Sequence, residues 1–202
     1  MNATYNATVW EEYFANLTGP IASGSSSSFA SLSLSQLSSE TNAGIIAQAL
    51  LLQNASDYLP STYNAALVRG FEEQRKALAA QYLSDSSSVT GGGIPGNGFS
   101  VRILLKPASR GTVSIDPSNP LAPPIVQYNT LSNPSDAALL LAMVHHTRAF
   151  WNQPALAKFS PVERQPGAQY QTDEEIMFAL TKLGFLSPGL AHPSCTLSLI
   201  HI

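Results

Sequence analysis

Residues 102–128 read RILLKPASRGTVSIDPSNPLAPPIVQY. The pattern is strand, reversal, strand, proline-rich crossing, strand. Side chains alternate between faces along a strand, so Val101, Ile103 and Leu105 share one face and Arg102, Leu104 and Lys106 the other. Pro107 to Gly111 interrupts the run, and Val113 and Ile115 resume it. Asp116-Pro117, Pro120, Pro123 and Pro124 interrupt it again, because proline has no N–H to give to a ladder, and Ile125 and Val126 restart it. The spacing predicts an antiparallel first pair, since a break of about four residues suits a hairpin and not a parallel crossover. No side chain in the stretch is a ready nucleophile or base, so chemistry is expected at the rim of this sheet.

The totals narrow the classes. A chain of 202 residues with 44% hydrophobic residues can bury one sizeable core. Net charge is -3 and 11% of residues are charged, against about 25% in ordinary globular proteins. No basic face is visible, which argues against nucleic acid as a partner. The longest apolar run, Ala137 to Val144, is far short of the ~20 residues of a membrane span, so no membrane partner is expected. The start, Met1 to Asn6, has neither the basic region nor the apolar core of a signal peptide. Yet Asn-x-Ser/Thr acceptors stand at Asn2, Asn6, Asn16 and Asn54. Their density near the start points to an extracellular parent protein whose true beginning lies upstream. Cys195 is the lone cysteine, so an internal disulfide is excluded.

Along the chain, residues 1–40 read as a polar, serine-rich lead-in with one apolar cluster of Trp10, Tyr13 and Phe14. Ser23 to Ser28 reads as a loop. Ile45, Ile46, Ala49 and Leu52 predict a helix over Thr41 to Leu52. A longer helix is predicted from Ser61 or Thr62 to about Leu83, with Leu67, Phe71 and Leu78 on one face and Glu72 and Lys76 on the solvent side. Ser84 to Gly98 reads as a loop. Gly91, Gly93 and Gly96 satisfy G-x-G-x-x-G, the dinucleotide fingerprint, but that motif works between a strand and a helix. Here serines precede it and a strand follows, so the cofactor reading is set aside. Asn133-Pro134-Ser135-Asp136 is a helix start, predicting a helix to about Trp151 that buries Leu140, Met143, Val144, Thr147 and Trp151. Thr172 to Glu175 is a capping box, followed by the stripe Ile176, Leu180, Leu183 and a C-terminal Gly184.

Few residues can carry chemistry. His145 and His146 are adjacent on a helix and diverge by about 100°, so they cannot both face one metal or substrate; one should face solvent and the other be half-buried. His192, between Pro188-Gly189-Leu190-Ala191 and Pro193-Ser194-Cys195, lies in a turn or strand entry, where a near-neutral pKa suits a general base. His201 has no informative context. There is no G-x-S-x-G elbow, and no lysine follows the glycines as a phosphate loop requires. Cys195 reads as a structural thiol. The carboxylates at Glu72-Glu73 and at Asp173 to Glu175 read as features of helix surfaces.

In order along the chain, several motifs resemble the glucose–methanol–choline oxidoreductases. Thr18-Gly19-Pro20 is similar to the family's opening of the substrate domain. Lys106 to Ile115 resembles its P-x-S-R-G-x-V strand pair. Asp116-Pro117 through Pro124-Ile125-Val126 to Tyr128-Asn129 resembles its D-P-x-x-x-P-x-I-x-x-N-Y region. Pro166-Gly167, Asp173-Glu174-Glu175 and Ala191-His192-Pro193 complete the set. The likeness is to the fungal aryl-alcohol-oxidase and glucose-oxidase branch. It implies an α+β fold, an antiparallel sheet packed with helices, with residues 41–202 as a partial substrate-binding domain. It implies FAD as cofactor of the parent and a small alcohol or sugar as substrate. His192 falls on the family's active-site histidine, which takes the hydroxyl proton while hydride leaves for the flavin. The chain departs from the pattern: Cys195 replaces a glycine, Leu197 to Ile202 lose the expected continuation, and neither the flavin-binding fingerprint nor the second His or Asn is found. The chain is therefore expected to be a portion of the enzyme cut at both ends and inactive alone. The alternative is a secreted, non-enzymatic binding module derived from the same domain.

Overall fold

The computed structural model describes residues 3–22, 29–93 and 101–186. In chain order the elements are α1 (Ala3–Asn16), β1 (Phe29–Leu32), α2 (Leu34–Leu37), α3 (Glu40–Leu52), α4 (Ala65–Tyr82), β2 (Thr90–Gly93), β3 (Val101–Leu104), β4 (Thr112–Ser114), β5 (Ile125–Gln127), α5 (Pro134–Trp151) and α6 (Asp173–Lys182). Short 3₁₀ segments at Ala55–Tyr58 and Pro154–Phe159 lie between α3 and α4 and between α5 and α6. The fold is a mix of helices and antiparallel sheet, as the resemblance implied.

Two expectations about the sheet are corrected. The glycine stretch is not a loop. Thr90–Gly93 is the central strand of a three-stranded antiparallel sheet in the order β1-β2-β3. Glycine is required there by packing. A Cβ on Gly91 would overlap the Phe29 ring, and one on Gly92 would overlap the Val101 carbonyl oxygen. A strand without side chains carries no alternation, so its sequence looks like a loop. Secondly, β3 pairs with β2 and not with β4. β4 and β5 form a separate two-stranded antiparallel ribbon, with Val113 opposite Val126. The reversal at Pro107–Gly111 is not a free hairpin turn. The amides of Ala108 and Ser109 donate to the carboxylate of Asp136 on α5. The turn is thereby anchored to a helix, and β4 is sent away from β3.

The core gathers where α2, α3, α4 and α5 meet the sheet: Leu34, Leu37, Ile46, Leu50, Leu78, Tyr82, Val89, Leu139 and Met143 are buried in one cluster. Leu34, Leu50 and Leu139 are wholly buried, each contributing about 1.5–3 kcal/mol by removal from water. α3 presents Ala43, Ile46, Ala47 and Leu50 inward. Of the residues whose spacing predicts the helix, Ile45 and Leu52 are 61% and 78% exposed. A helix with apolar residues on more than one side offers several faces, and only the neighbours choose between them. On α5 the buried set is Leu139, Leu140, Ala142 and Met143, while Val144, Thr147 and Trp151 are half-buried. On α4, Phe71 and Leu78 are inside and Leu67 is half exposed.

Several local signals hold. Asn133 caps α5 by accepting from the Ser135 amide, with Pro134 in the first turn. Thr172 and Glu175 form the capping box of α6, and Gly184 follows its end at φ +74°. α4 starts later than expected: Asn64 is the cap, accepting from the amides of Ala66 and Leu67. On its solvent side Lys76 pairs with Glu73 and not Glu72. The polar lead-in contains α1, where Trp10 stacks on Phe14 at 5.6 Å, and β1. The Ser23–Ser28 stretch lies outside the described residues.

Candidate functional site

A buried polar centre joins α3, α4, the 107–111 turn and α5. Asp136 is wholly buried, and its two carboxylate oxygens accept from Ala108 N at 2.6 Å and Ser109 N at 2.9 Å. The Ser109 hydroxyl accepts from Asn133 N at 3.0 Å. Asn133 exchanges two side-chain bonds with Gln53, donating from Nδ2 at 2.7 Å and accepting at 3.2 Å. Gln53 also donates to Ser135, and its carbonyl accepts from Arg75. Tyr82 completes the centre by donating to the Lys106 carbonyl at 2.8 Å.

Electrostatics follow burial. Desolvation pushes the Asp136 carboxyl up, opposed by its bonds to Ser109 and Ala108. Desolvation, then the negative charge of Asp136, pushes the Tyr82 phenol up. These shifts mark a structural centre, because the Asp136 carboxylate and the Tyr82 hydroxyl are both bonded to neighbours in the same chain. From local sequence alone, Asp136 is only a charge at a helix start. Its partners lie 27 and 28 residues earlier, and no local pattern reveals them.

A second feature is the seam between α5 and α6. His145 Nε2 lies 2.7 Å from Asp173 Oδ1, and both side chains are about half exposed. Asp173, read as a helix-surface carboxylate, thus also holds α6 to α5. As expected, the two histidines diverge: His146 is half-buried, and its Nδ1 is buried without a partner. Desolvation pushes the His146 imidazole pKa down, and the nearby Arg102 guanidinium adds to this. Farther along α5, Arg148 binds Glu163 through Nε and Nη2, and Nη2 also donates to the carbonyls of Gly167 and Tyr170. This clamp fixes the connection between α5 and α6.

His145, His146 and Asp173 line a groove of about 580 Å³, walled by Ile45, Ile46, Leu141 and Ala142. Among the described residues no cluster of His, Cys, Asp or Glu could hold a metal. No described helix is long and apolar enough to cross a membrane. His192, Cys195 and His201 lie outside the described residues, as does the acceptor Asn2. Asn6, Asn16 and Asn54 are exposed.

The described residues do not fit FAD. A dinucleotide cradle needs free backbone N–H groups at a strand-to-helix turn. Gly91 to Gly93 are laddered on both sides, by β1 and by β3, and the next described element is the strand β3.

Comparison with known proteins places this architecture. Residues 107–200 match the family model described as GMC oxidoreductase. The dehydrogenase xptC of Emericella nidulans is 29% identical over 198 residues, covering 96% of this chain and 31% of that protein. An FAD-dependent oxidoreductase from Chaetomium thermophilum, solved with a bound fragment, superposes with a TM-score of 0.81 at 31% identity, covering 89% of this chain and 31% of that one. A fungal aryl-alcohol oxidase gives a TM-score of 0.74 at 26% identity over 86% of this chain and 31% of its own. The chain thus spans under a third of the length of these relatives, 31% in each case. By its motifs, its fold and these matches, the chain is similar to the GMC oxidoreductases, whose family model its residues 107–200 match.

Proposed function

We propose that the chain is the substrate-side portion of an FAD-dependent oxidoreductase acting on the CH–OH group of a small alcohol or sugar. The observation that carries this reading is the superposition of 89% of the chain on an FAD-dependent oxidoreductase at a TM-score of 0.81. The likeness to an aryl-alcohol oxidase supports an alcohol as donor. His192, inside the matched region, is proposed as the group that takes the hydroxyl proton. Oxidation of an alcohol removes a proton from oxygen and a hydride from carbon, and a base on the oxygen lets charge build there as the hydride leaves. FAD, the cofactor proposed for the parent, is not held by the described residues. What they supply is a frame: the Asp136 centre and the Arg148 clamp fix α5 and α6, from which the chain continues to His192. The exposure of Asn6, Asn16 and Asn54 supports a glycosylated, extracellular parent.

The test is a chimaera in which this chain replaces the matching segment of the Chaetomium thermophilum protein. It is expected to hold flavin and oxidise aromatic primary alcohols. His192→Ala should abolish turnover with flavin retained. A folded, flavin-loaded His192→Ala chimaera at the unmodified rate would refute the role of His192. The chain alone, supplied with FAD, should show no turnover above background.

A further inference from the structure

No carboxylate side chain of this protein answers Arg102. All 13 Asp and Glu residues lie among the described residues, since residues 1–2, 23–28, 94–100 and 187–202 contain neither type. The ion pairs among them are Lys76 with Glu73, His145 with Asp173 and Arg148 with Glu163. Arg102 is nonetheless half-buried on β3, and burial pushes its guanidinium pKa down. A partly desolvated cation with no counter-charge loses hydration that no partner returns. Its surroundings hold it in one place. Gly92 stands opposite Arg102 across the β2–β3 ladder, and the Arg102 Cδ lies 3.0 Å from where a Cβ on Gly92 would be. The bare glycine leaves room for the aliphatic stem. Nε donates to the Thr147 hydroxyl of α5 at 3.3 Å, and that hydroxyl donates to the Met143 carbonyl at 2.7 Å. The end of the fork, Nη1 and Nη2, meets no acceptor among the described residues, and neither atom is sealed from solvent. His146 stands beside it, half-buried, with Nδ1 buried and unpartnered. Burial, then the Arg102 charge, pushes the His146 imidazole pKa down.

We propose that Arg102 anchors a carboxylate-binding site, its Nη1–Nη2 fork taking both oxygens of a small carboxylate beside the His146 imidazole. A planar fork matches a planar carboxylate. A tetrahedral phosphate asks for further donors, and the Thr147 hydroxyl already donates to Met143. The bound anion supplies the counter-charge that the chain's own side chains do not. It also relieves the repulsion that disfavours a charged His146. The effect is reciprocal: carboxylate binding raises the His146 pKa, and affinity for the carboxylate rises as pH falls through it. The neighbouring charges on α5 are already paired, His145 with Asp173 of α6 and Arg148 with Glu163, so Arg102 is the charge that His146 responds to.

The experiment is an NMR titration of the full chain with acetate, against chloride at equal ionic strength, following the Arg102 Nε–H and the histidine ring protons. Acetate should shift the Arg102 signal saturably and raise the His146 titration midpoint, and chloride should do neither. Arg102→Gln should weaken acetate binding at least about tenfold, the loss of a charge-assisted fork. Arg102→Lys keeps the charge without the fork, so it should keep the lowered His146 midpoint and lose most of the acetate response. It also keeps the test decisive if Arg102→Gln does not fold. Equal responses to acetate and chloride would overturn the site, because screening needs no fork. So would an undiminished acetate response in Arg102→Lys. Inorganic phosphate bound more tightly than acetate would overturn the assignment to carboxylates. The terminal carboxylate of Ile202 found against Arg102 in the free chain would also overturn it, since the chain would then supply its own counter-charge.

Discussion

Removing the Asp136 carboxylate should unfasten the fold at one point. Asp136→Ala deletes two hydrogen bonds from buried backbone amides, Ala108 N at 2.6 Å and Ser109 N at 2.9 Å. Bonds to a charged acceptor contribute about 1.5–3 kcal/mol each, so the gross loss is about 3–6 kcal/mol. Part is offset, because burial disfavours the charged form and pushes the carboxyl pKa up. Deleting the carboxylate recovers that desolvation cost, so the lower end, about 3 kcal/mol, is the expected net loss. For a chain of this size that is a fall of about 6–12 °C in Tm. Asp136→Asn keeps one acceptor oxygen and sets an NH₂ against the other amide, so it should recover no more than half. The pH dependence has a defined sign. A raised folded pKa means that the advantage of Asp136 over Asp136→Asn is full below the ordinary value of 3.8 and shrinks as pH rises through the elevated one. The assay is thermal unfolding followed by circular dichroism, with hydrogen exchange at Ala108 and Ser109. A Tm for Asp136→Ala within about 2 °C of the unmodified chain would refute the reasoning, as would unchanged exchange at both amides.

Three further outcomes are expected. Gly92→Ala should cost about 1–3 kcal/mol or more, since its Cβ overlaps the Val101 carbonyl, whereas Gly70→Ala, mid-helix with open space at its Cβ, should stabilise by about 0.5–1 kcal/mol; chemical denaturation distinguishes the two signs. The Glu175 carboxyl is held down by the backbone amides of Thr172 and Gln171, so the melting advantage of the unmodified chain over Glu175→Gln should be present above the ordinary value of 4.5 and vanish as pH falls through the depressed one. Arg148→Ala should lose about 2–4 kcal/mol, and Arg148→Lys should not restore it, because an ammonium cannot reproduce the two-nitrogen grip on Glu163 together with the carbonyls of Gly167 and Tyr170; equal melts for the lysine variant and the unmodified chain would count against this.

Much of the helical structure was legible. The Asn133-Pro134 start, the Thr172–Glu175 box and Gly184 specify helix ends through atoms a few residues apart, so the sequence contains both partners. The helix faces were less legible. Ile45 and Ile46 are adjacent and equally apolar, and only the packing of α4 and α5 against α3 decides that Ile46 goes in. α1 was missed because its polar residues and the serines after it mask an ordinary helix with a single buried residue, Val9. Of the candidate site, the divergence of His145 and His146 was legible, but which of them faces solvent was not, and the pairing of His145 with Asp173 spans 28 residues and needed the fold.

By itself the sequence determined the family likeness, through motifs read in order from Thr18 to Pro193, and with it the class of fold. It also determined the strands 101–104, 112–114 and 125–127, because alternation and proline are local properties. The tertiary structure alone decided which strands pair. Gly91 to Gly93 became a central strand because Phe29 and Val101 approach closer than any side chain allows, a fact stored in residues far away along the chain. It also decided where the 102–128 stretch turns. The carboxylate of Asp136, buried and reaching back to Ala108 and Ser109, converts what reads as one hairpin into a sheet edge and a projecting ribbon. Long-range hydrogen bonds and close backbone approach leave no periodic mark on a sequence, and here they settle the architecture.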